Sequence, residues 1–161
     1  MVTKETLLSI LSEVKDPEIP VLSIQDLGIL RNVQFVDGVW QIDITPTYSG
    51  CPAMITIEEE IAAALTKNGI SAYNINSQLS PAWTTDWISE EGKKKLEAYG
   101  IAPPVDEIDK SVLFSKPPIV HCPLCKSQHT KMVSMFGSTA CKAHYQCKDC
   151  LEPFDYFKCL R

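Results

Sequence analysis

The hydrophobic pattern at the start of the chain predicts an α-helix. From Thr3 to Val14 the apolar side chains recur three or four residues apart, and Thr3 is a suitable N-cap. The prolines in the stretch 16–20 should end this helix, because a residue that precedes proline avoids the α region. Residues 23–28 are then typical of a single turn closed by glycine.

The pattern next predicts a hairpin and a second helix. Alternating apolar residues on both sides of Asp37-Gly38 indicate two antiparallel strands joined by a two-residue turn. After the loop 45–51, Pro52 suits the first position of a helix, which carries apolar residues on one face. Asn68-Gly69 should end that helix. The pattern therefore places Cys51 at a helix start.

The remaining pattern completes an α+β domain and separates it from a tail. Residues 70–79 indicate a third strand, and Ser89 caps a short helix that reaches Glu97. We predict an α+β fold, with a small, mainly antiparallel sheet and packed helices, followed by a C-terminal module. The predicted parts are the α+β domain at 1–102, a proline- and acid-rich linker at 103–118 and the module at 119–161.

Composition describes an ordinary globular chain. Of its 161 residues, 45% are hydrophobic and 22% are charged, which is usual for globular proteins. The longest apolar runs, such as residues 61–65, are too short to cross a bilayer. The N-terminus does not have the pattern of a signal peptide. We therefore expect a soluble, cytoplasmic protein.

Charge is divided unevenly along the chain. Residues 1–110 contain 8 Lys/Arg and 17 Asp/Glu, a net charge of −9, whereas residues 111–161 contain 7 and 3, a net charge of +4. A basic tail on an acidic body suits either a nucleic acid or an acidic protein partner. Charge alone does not decide between these two.

Seven cysteines are the strongest chemical signal in the sequence. Two Cys-x-x-Cys pairs are separated by 21 residues, which is the arrangement of a tetrahedral four-thiolate site. A module this small needs metal ligation for much of its folding free energy. We therefore predict a zinc ribbon at 119–161, with a structural Zn2+ bound by Cys122, Cys125, Cys147 and Cys150.

Other residues of the tail fit this site less closely. Residues 131–136 and 143–146 suit short hairpin strands between the two pairs. Lys126 and Leu151 stand where zinc knuckles usually have glycine, which departs from the usual form of the turn.

The tail contains two more cysteines and three histidines. Cys141 and Cys159 do not fit the four-ligand pattern and are interpreted as small hydrophobic residues. The histidines His121, His129 and His144 are alternative metal ligands, although a histidine near a zinc knuckle is more often outside the ligand set.

Cys51 stands apart from the other cysteines. It lies between Gly50 and Pro52, where backbone N–H groups and the positive helix end would favour an exposed thiolate. A thiolate can bind an iron–sulfur cluster transiently, with further ligands from a second subunit, as in a homodimer, or from a client. One alternative is a small residue that fills a tight turn. A nucleophile is the other, and it would need a histidine from the tail.

Three acids are expected to share the surface around Cys51. They are Asp16, Glu18 and Asp26, and carboxylates beside a thiolate could assist metal transfer. The alternative for these residues is the capping of turns and helix ends.

Several motifs resemble known families. Residues 16–20, 23–28 and 47–53 are similar to motifs of the SufT-like iron–sulfur assembly domain, whose members carry such a lone cysteine. Together with these, three further segments resemble the family of phenylacetate-degradation protein D, a component of the bacterial phenylacetyl-CoA epoxidase system: residues 81–88, 136–142 and 152–154. The resemblance extends over nearly the whole chain. Cys141 lies within one of these segments, and no role is assigned to it.

The resemblance implies an accessory role beside a multicomponent di-iron monooxygenase that converts phenylacetyl-CoA to its ring epoxide. The chain would assist iron–sulfur cluster assembly or insertion in an oxygenase or reductase subunit. Carried over by motif, Asp16, Glu18, Asp26 and Cys51 would serve cluster binding or transfer. The sequence has no Glu-x-x-His pair of the di-iron type and no glycine-rich dinucleotide motif. We therefore expect that the chain is not an enzyme.

Two other functions remain open at this point. The first is a structural zinc-ribbon subunit that docks oxygenase and reductase, with an inert Cys51. The second is a nucleic-acid-binding zinc-ribbon protein. Against the second, the basic residues of the tail are scattered and the attached body is acidic. Neither nucleic acid nor a membrane is expected as a partner.

Overall fold

The computed structural model describes residues 2–105 and 117–158. The chain forms two compact units, Met1–Gly92 and Lys93–Arg161. Within the described residues, no helix is both long enough and apolar enough to span a membrane.

The first unit combines helices with a three-stranded sheet. Its elements are α1 (Lys4–Ser12), β1 (Leu30–Val36), β2 (Val39–Ile44), α2 (Ala53–Lys67), β3 (Tyr73–Ser77), a 3-10 turn (Thr85–Trp87) and α3 (Glu90–Ala98), which continues into the second unit. This order of elements and the α+β class agree with the sequence prediction.

The sheet of the first unit is mixed. Its strand order is β1-β2-β3, with β1 and β2 antiparallel and β2 and β3 parallel. The predicted sheet was mainly antiparallel. The difference arises because α2 connects β2 to β3, and a helical crossover brings the next strand in parallel.

The predicted hairpin turn is confirmed. Asp37 and Gly38 have φ values of 50° and 83°, and Val36 pairs with Val39 across the turn. Positive φ at both central residues is the property of the two-residue turn that matches the twist of β-strands.

The core of the first unit is formed by one face of each long helix and by β2. Seven of its aliphatic side chains are completely buried: Leu7, Leu11, Ile42, Ile44, Ile57, Ile61 and Leu65. Burial of each such side chain contributes about 1.5–3 kcal/mol. This packing fixes α2 against the unit and thereby positions the loop that carries Cys51.

Residues after β3 fold back onto the turn at 23–28. The indole N–H of Trp83 donates to the carbonyl of Leu27 at 2.7 Å. The N–H of Ser89 donates to the carbonyl of Asp26 at 2.9 Å. These contacts hold the segment before α3 against the turn.

Gly28 allows this close approach. It has a φ of 70°, and a Cβ atom at this position would lie 2.5 Å from the carbonyl oxygen of Trp87. Only glycine satisfies both conditions. The Arg31 guanidinium lies 3.5 Å from the centroid of the Trp87 ring, which adds a cation–π contact.

The second unit contains a four-stranded sheet in the order β4-β7-β6-β5. The strands are β4 (Ile101–Ala102), β5 (Thr130–Ser134), β6 (Lys142–Cys147) and β7 (Pro153–Phe157). β5 and β6 correspond to the two predicted hairpin strands. Strand β7 was missed, although Phe154 and Tyr156 alternate toward the core, because the cysteine spacing dominated the interpretation of the tail.

The second unit begins earlier than the predicted ribbon. Ile101 and Ala102 pair in parallel with β7, although the sequence assigned them to the domain at 1–102. Their pairing and the division after Gly92 both place them with the second unit. A two-residue strand has no recognisable sequence period.

The described ends of the predicted linker, 103–118, both contact the second unit. The N–H of Val105 donates to the hydroxyl of Tyr156 at 3.4 Å. The hydroxyl of Tyr145 donates to the carbonyl of Pro118 at 3.3 Å. Residues 106–116 lie outside the described residues, so the linker stays a prediction there.

Candidate metal centre and lone cysteine

The structure brings the four paired cysteines together. The sulfurs of Cys125 and Cys147 are 3.5 Å apart, and those of Cys122 and Cys150 are 3.7 Å apart. All four sulfurs lie within 4.8 Å of one another. Each Cys-x-x-Cys pair therefore supplies half of a compact four-sulfur group.

Two tight turns place these sulfurs. Lys126 and Leu151, the residues that follow the second cysteine of each pair, have φ values of 63° and 65°. The N–H of Cys122 donates to the carbonyl of Ser127 at 2.9 Å, and that of Cys147 donates to the carbonyl of Glu152 at 3.0 Å. Both turns thus adopt the left-handed conformation in which glycine is usual, with other residues in its place.

The thiols are electrostatically suited to a cation. The backbone N–H of Cys150 donates to the Cys147 sulfur, and this contact lowers the pKa of the Cys147 thiol to about 7. Cys150 accepts from the N–H of Glu152, but burial and the three other thiols outweigh that contact and raise the pKa of Cys150 to about 12. Four sulfurs at these distances become thiolates together only around a cation. The group therefore fits a metal ion.

The histidines of the tail lie elsewhere. His129 Nδ1 is 3.3 Å from a carboxylate oxygen of Asp149, and His144 Nδ1 is 3.6 Å from a carboxylate oxygen of Asp155. Among the described residues, the group that could hold a metal ion consists of the four cysteines. The alternative of a histidine ligand has no support in this geometry.

The fifth cysteine of the tail is part of the protein interior. Cys141 is buried, and its sulfur lies 3.1 Å from the hydroxyl oxygen of Thr139. This agrees with its interpretation as a small hydrophobic residue. Cys159 lies outside the described residues.

Cys51 lies in the loop before α2, but it is not exposed. Only 8% of the residue is accessible, so the expectation of an exposed cysteine is wrong. The loop turns back on itself: the N–H of Cys51 donates to the carbonyl of Tyr48, and the N–H of Met54 donates to the carbonyl of Cys51, both at 3.3 Å. These bonds direct the side chain inward.

Burial also reverses the expected titration of Cys51. It raises the pKa of the thiol above its ordinary value. The N–H of Ala53 and the side chain of Tyr48 bond to the sulfur and act in the opposite direction, but the negative charges of Glu18 and Asp16 add to the rise. The helix end thus acts as predicted, yet desolvation is larger and the thiol stays protonated at neutral pH.

The acids of the predicted set have different positions. Asp16 is buried, and its carboxylate accepts from the N–H groups of Glu18 and Ile19 at 2.8 and 2.9 Å. Asp26 accepts from the N–H of Ser23 at 3.0 Å. Both are turn caps, as the alternative interpretation proposed. Glu18 and Asp16 lie close enough to Cys51 to influence its pKa.

Sequence reasoning missed one residue of the site around Cys51. Tyr48 contacts the sulfur through its side chain and the Cys51 N–H through its carbonyl. Its position three residues before Cys51, in a loop closed by Gly50 with a φ of 76°, is the signal that could have identified it.

Fold and site together define a class of protein, an iron–sulfur assembly domain joined to a zinc-ribbon domain. The family model described as "Iron-sulfur cluster assembly protein" matches residues 4–69, and the one described as "PaaD zinc beta ribbon domain" matches residues 107–158. The chain belongs to the family of an Escherichia coli (strain K12) protein whose name begins "Putative 1,2-phenylacetyl-CoA epoxidase" and designates one subunit of that enzyme. The two are 51% identical over 152 residues, which cover 94% of this chain and 90% of the relative.

Other relatives match a smaller part of the chain. The "Fe-S protein maturation auxiliary factor" of Porphyromonas gingivalis (strain ATCC BAA-308 / W83) is 34% identical over 58% of this chain and 90% of its own length. The crystal structure of a "Domain of Unknown Function DUF59 from Bacillus anthracis" has a TM-score of 0.54 at 26% identity, over 58% of this chain and 90% of that one. These matches support an accessory role related to iron–sulfur assembly.

Proposed function

We propose that the chain is a non-catalytic accessory protein of a phenylacetyl-CoA epoxidase system in the cytoplasm. In this proposal it assists iron–sulfur cluster assembly or insertion in an oxygenase or reductase subunit. The observation that carries the proposal is the match over 94% of the chain to a relative named as a subunit of that epoxidase. The maturation role draws further support from the relative named as a maturation auxiliary factor.

The proposed cluster ligand is Cys51. One sulfur binds one iron atom, so the remaining ligands would come from a client or from a second copy. Because the sulfur is buried and its pKa is raised, the loop must open and the thiol must lose its proton before iron binds. Among the three acids, Glu18 is partly accessible and acts on the sulfur, whereas Asp16 and Asp26 would serve mainly by holding their turns.

The proposed metal of the ribbon is zinc. Four thiolates in a compact group favour zinc or an iron–sulfur centre. Two knuckles that close around a single ion are typical of structural zinc. A zinc ion there would supply folding free energy to a unit with a small core, and it would take no part in oxidation.

The burial of Cys51 favours a second candidate function. In that case the chain is a structural subunit that docks oxygenase and reductase, and Cys51 only fills the turn before α2. Both candidates require partner subunits. They differ in whether a partner lacks its cluster when the chain is absent.

Co-expression tests the proposal. The epoxidase system is produced with and without this chain, and the iron content and epoxidase activity of the purified complex are measured. We expect lower iron and lower activity without the chain, and no oxidation of phenylacetyl-CoA by the chain alone with NADPH and oxygen. A complex that is fully active and fully loaded with iron in its absence would contradict the maturation role.

A further inference from the structure

Two side chains outside the four-cysteine group join the two metal-binding turns. The turns are the first knuckle, residues 122–127, and the second knuckle, residues 147–152. The hydroxyl of Ser127, in the first knuckle, donates to the carboxylate of Asp149, in the second. This side-chain bond connects the knuckles directly.

His129 strengthens the connection. Its N–H donates to the Ser127 hydroxyl at 2.9 Å, and its Nδ1 is 3.3 Å from the Asp149 carboxylate. The N–H of Lys148 donates to the carbonyl of His129 at 2.7 Å. The chain after the first knuckle is thus bonded to the second knuckle by backbone and side chains.

The same two residues contact the cysteine sulfurs through their backbone. The N–H of Ser127 donates to the sulfur of Cys125, and the N–H of Asp149 donates to the sulfur of Cys147. These two sulfurs are 3.5 Å apart and belong to different knuckles. One side-chain hydrogen bond therefore links the two residues whose N–H groups point at neighbouring sulfurs.

We propose that Ser127 and Asp149 are positioning residues of the metal site: their side-chain bond holds the knuckles at the separation at which four sulfurs bind one ion. The inference requires the four cysteines to hold a metal ion, and it is independent of the role proposed for Cys51. N–H groups that bond to ligand sulfurs stabilise their charge and orientation, and loss of such outer contacts typically costs about 10–100-fold in metal affinity.

The charge of Asp149 does not explain the arrangement. A metal held by four thiolates is a negatively charged centre, so a nearby carboxylate is unfavourable by charge alone. Asparagine keeps an oxygen that accepts from Ser127 and removes the charge. Asp149→Asn should therefore retain the ion, whereas Asp149→Ala should not, and this pair separates hydrogen bonding from charge.

The test measures zinc release from the full-length, zinc-loaded chain into excess chromophoric chelator. We expect Ser127→Ala and Asp149→Ala to accelerate release about tenfold and Asp149→Asn to stay close to the unmodified chain. The double variant should release no faster than the faster single variant, because both changes remove the same bond. Asp155→Ala is the matched control, since Asp155 also faces a histidine, His144, on the same sheet, and it should leave release unchanged.

Cobalt(II) provides a second readout. Ser127→Ala and Asp149→Ala should shift the visible absorption bands of the cobalt-loaded chain, because these bands report the geometry of the four sulfurs. Unchanged release and unchanged bands in Ser127→Ala, the smallest change, would overturn the inference. Additive acceleration in the double variant would also overturn it. An unmodified chain that binds neither zinc nor cobalt would remove the metal assignment itself, whereas loss of maturation with normal zinc retention concerns only Cys51.

Discussion

Cys51 is surrounded by groups that act on its sulfur in opposite directions. Burial and the charges of Glu18 and Asp16 favour the thiol, whereas the N–H of Ala53 and the side chain of Tyr48 favour the thiolate. The thiol is favoured overall, so the folded state binds this proton more tightly than the unfolded chain does. The stability that this provides is fully present below the unfolded-state pKa and is lost as the pH rises through the folded-state pKa.

The acid beside Cys51 can be tested through the reactivity of the thiol. Glu18→Gln removes a negative charge near the sulfur, so the pKa of Cys51 should fall toward its ordinary value. Because the thiolate is the reactive form, alkylation of Cys51, followed by peptide mass spectrometry, should reach its midpoint at a lower pH.

The matched control for this measurement is Glu59→Gln, which removes an exposed acid of α2. It should leave the midpoint of Cys51 unchanged. An equal shift in both variants would mean that net charge, rather than the nearby carboxylate, controls the sulfur.

At the scale of elements, local signals predicted what they encode. Asp37-Gly38 determined the hairpin because both residues tolerate positive φ, and the paired cysteines identified the metal group. Strand β4 could not be predicted, since Ile101 and Ala102 extend only because β7 pairs with them. The direction of Cys51 also depends on tertiary packing, which no local motif reports.

The knuckles should depend on each other because each supplies half of the metal group. Cys122→Ser and Cys147→Ser each remove a buried sulfur from one knuckle, and serine oxygen is a poor ligand for a soft site. Both variants should lose the metal and unfold the second unit, since structural zinc contributes on the order of 10 kcal/mol to the folding of such modules.

Metal analysis and circular dichroism measure these effects. Cys141→Ser is the matched control, because Cys141 is a buried cysteine of the same unit outside the four-sulfur group, and it should keep about one metal ion per chain. Full metal content in both knuckle variants would refute the four-cysteine site.

At the scale of the whole molecule, the chain combines two units with different chemistry. The first has a single cysteine in a turn held by caps, and the second has a four-cysteine metal group. Composition and motifs predicted this combination and its family. They did not predict the division after Gly92, because the boundary depends on which sheet the short strand β4 joins.

The proposed role of Cys51 in cluster maturation is the central claim, and one measurement in cells tests it most directly. The epoxidase system is co-expressed with the unmodified chain or with Cys51→Ser, and iron content and activity are measured together with the melting temperature of each chain. Serine retains the size and a polar atom, so the change should cost about 1 kcal/mol or less in stability. We expect a complex deficient in iron and activity although the variant remains folded. A folded Cys51→Ser chain that supports full iron loading and activity would contradict this role.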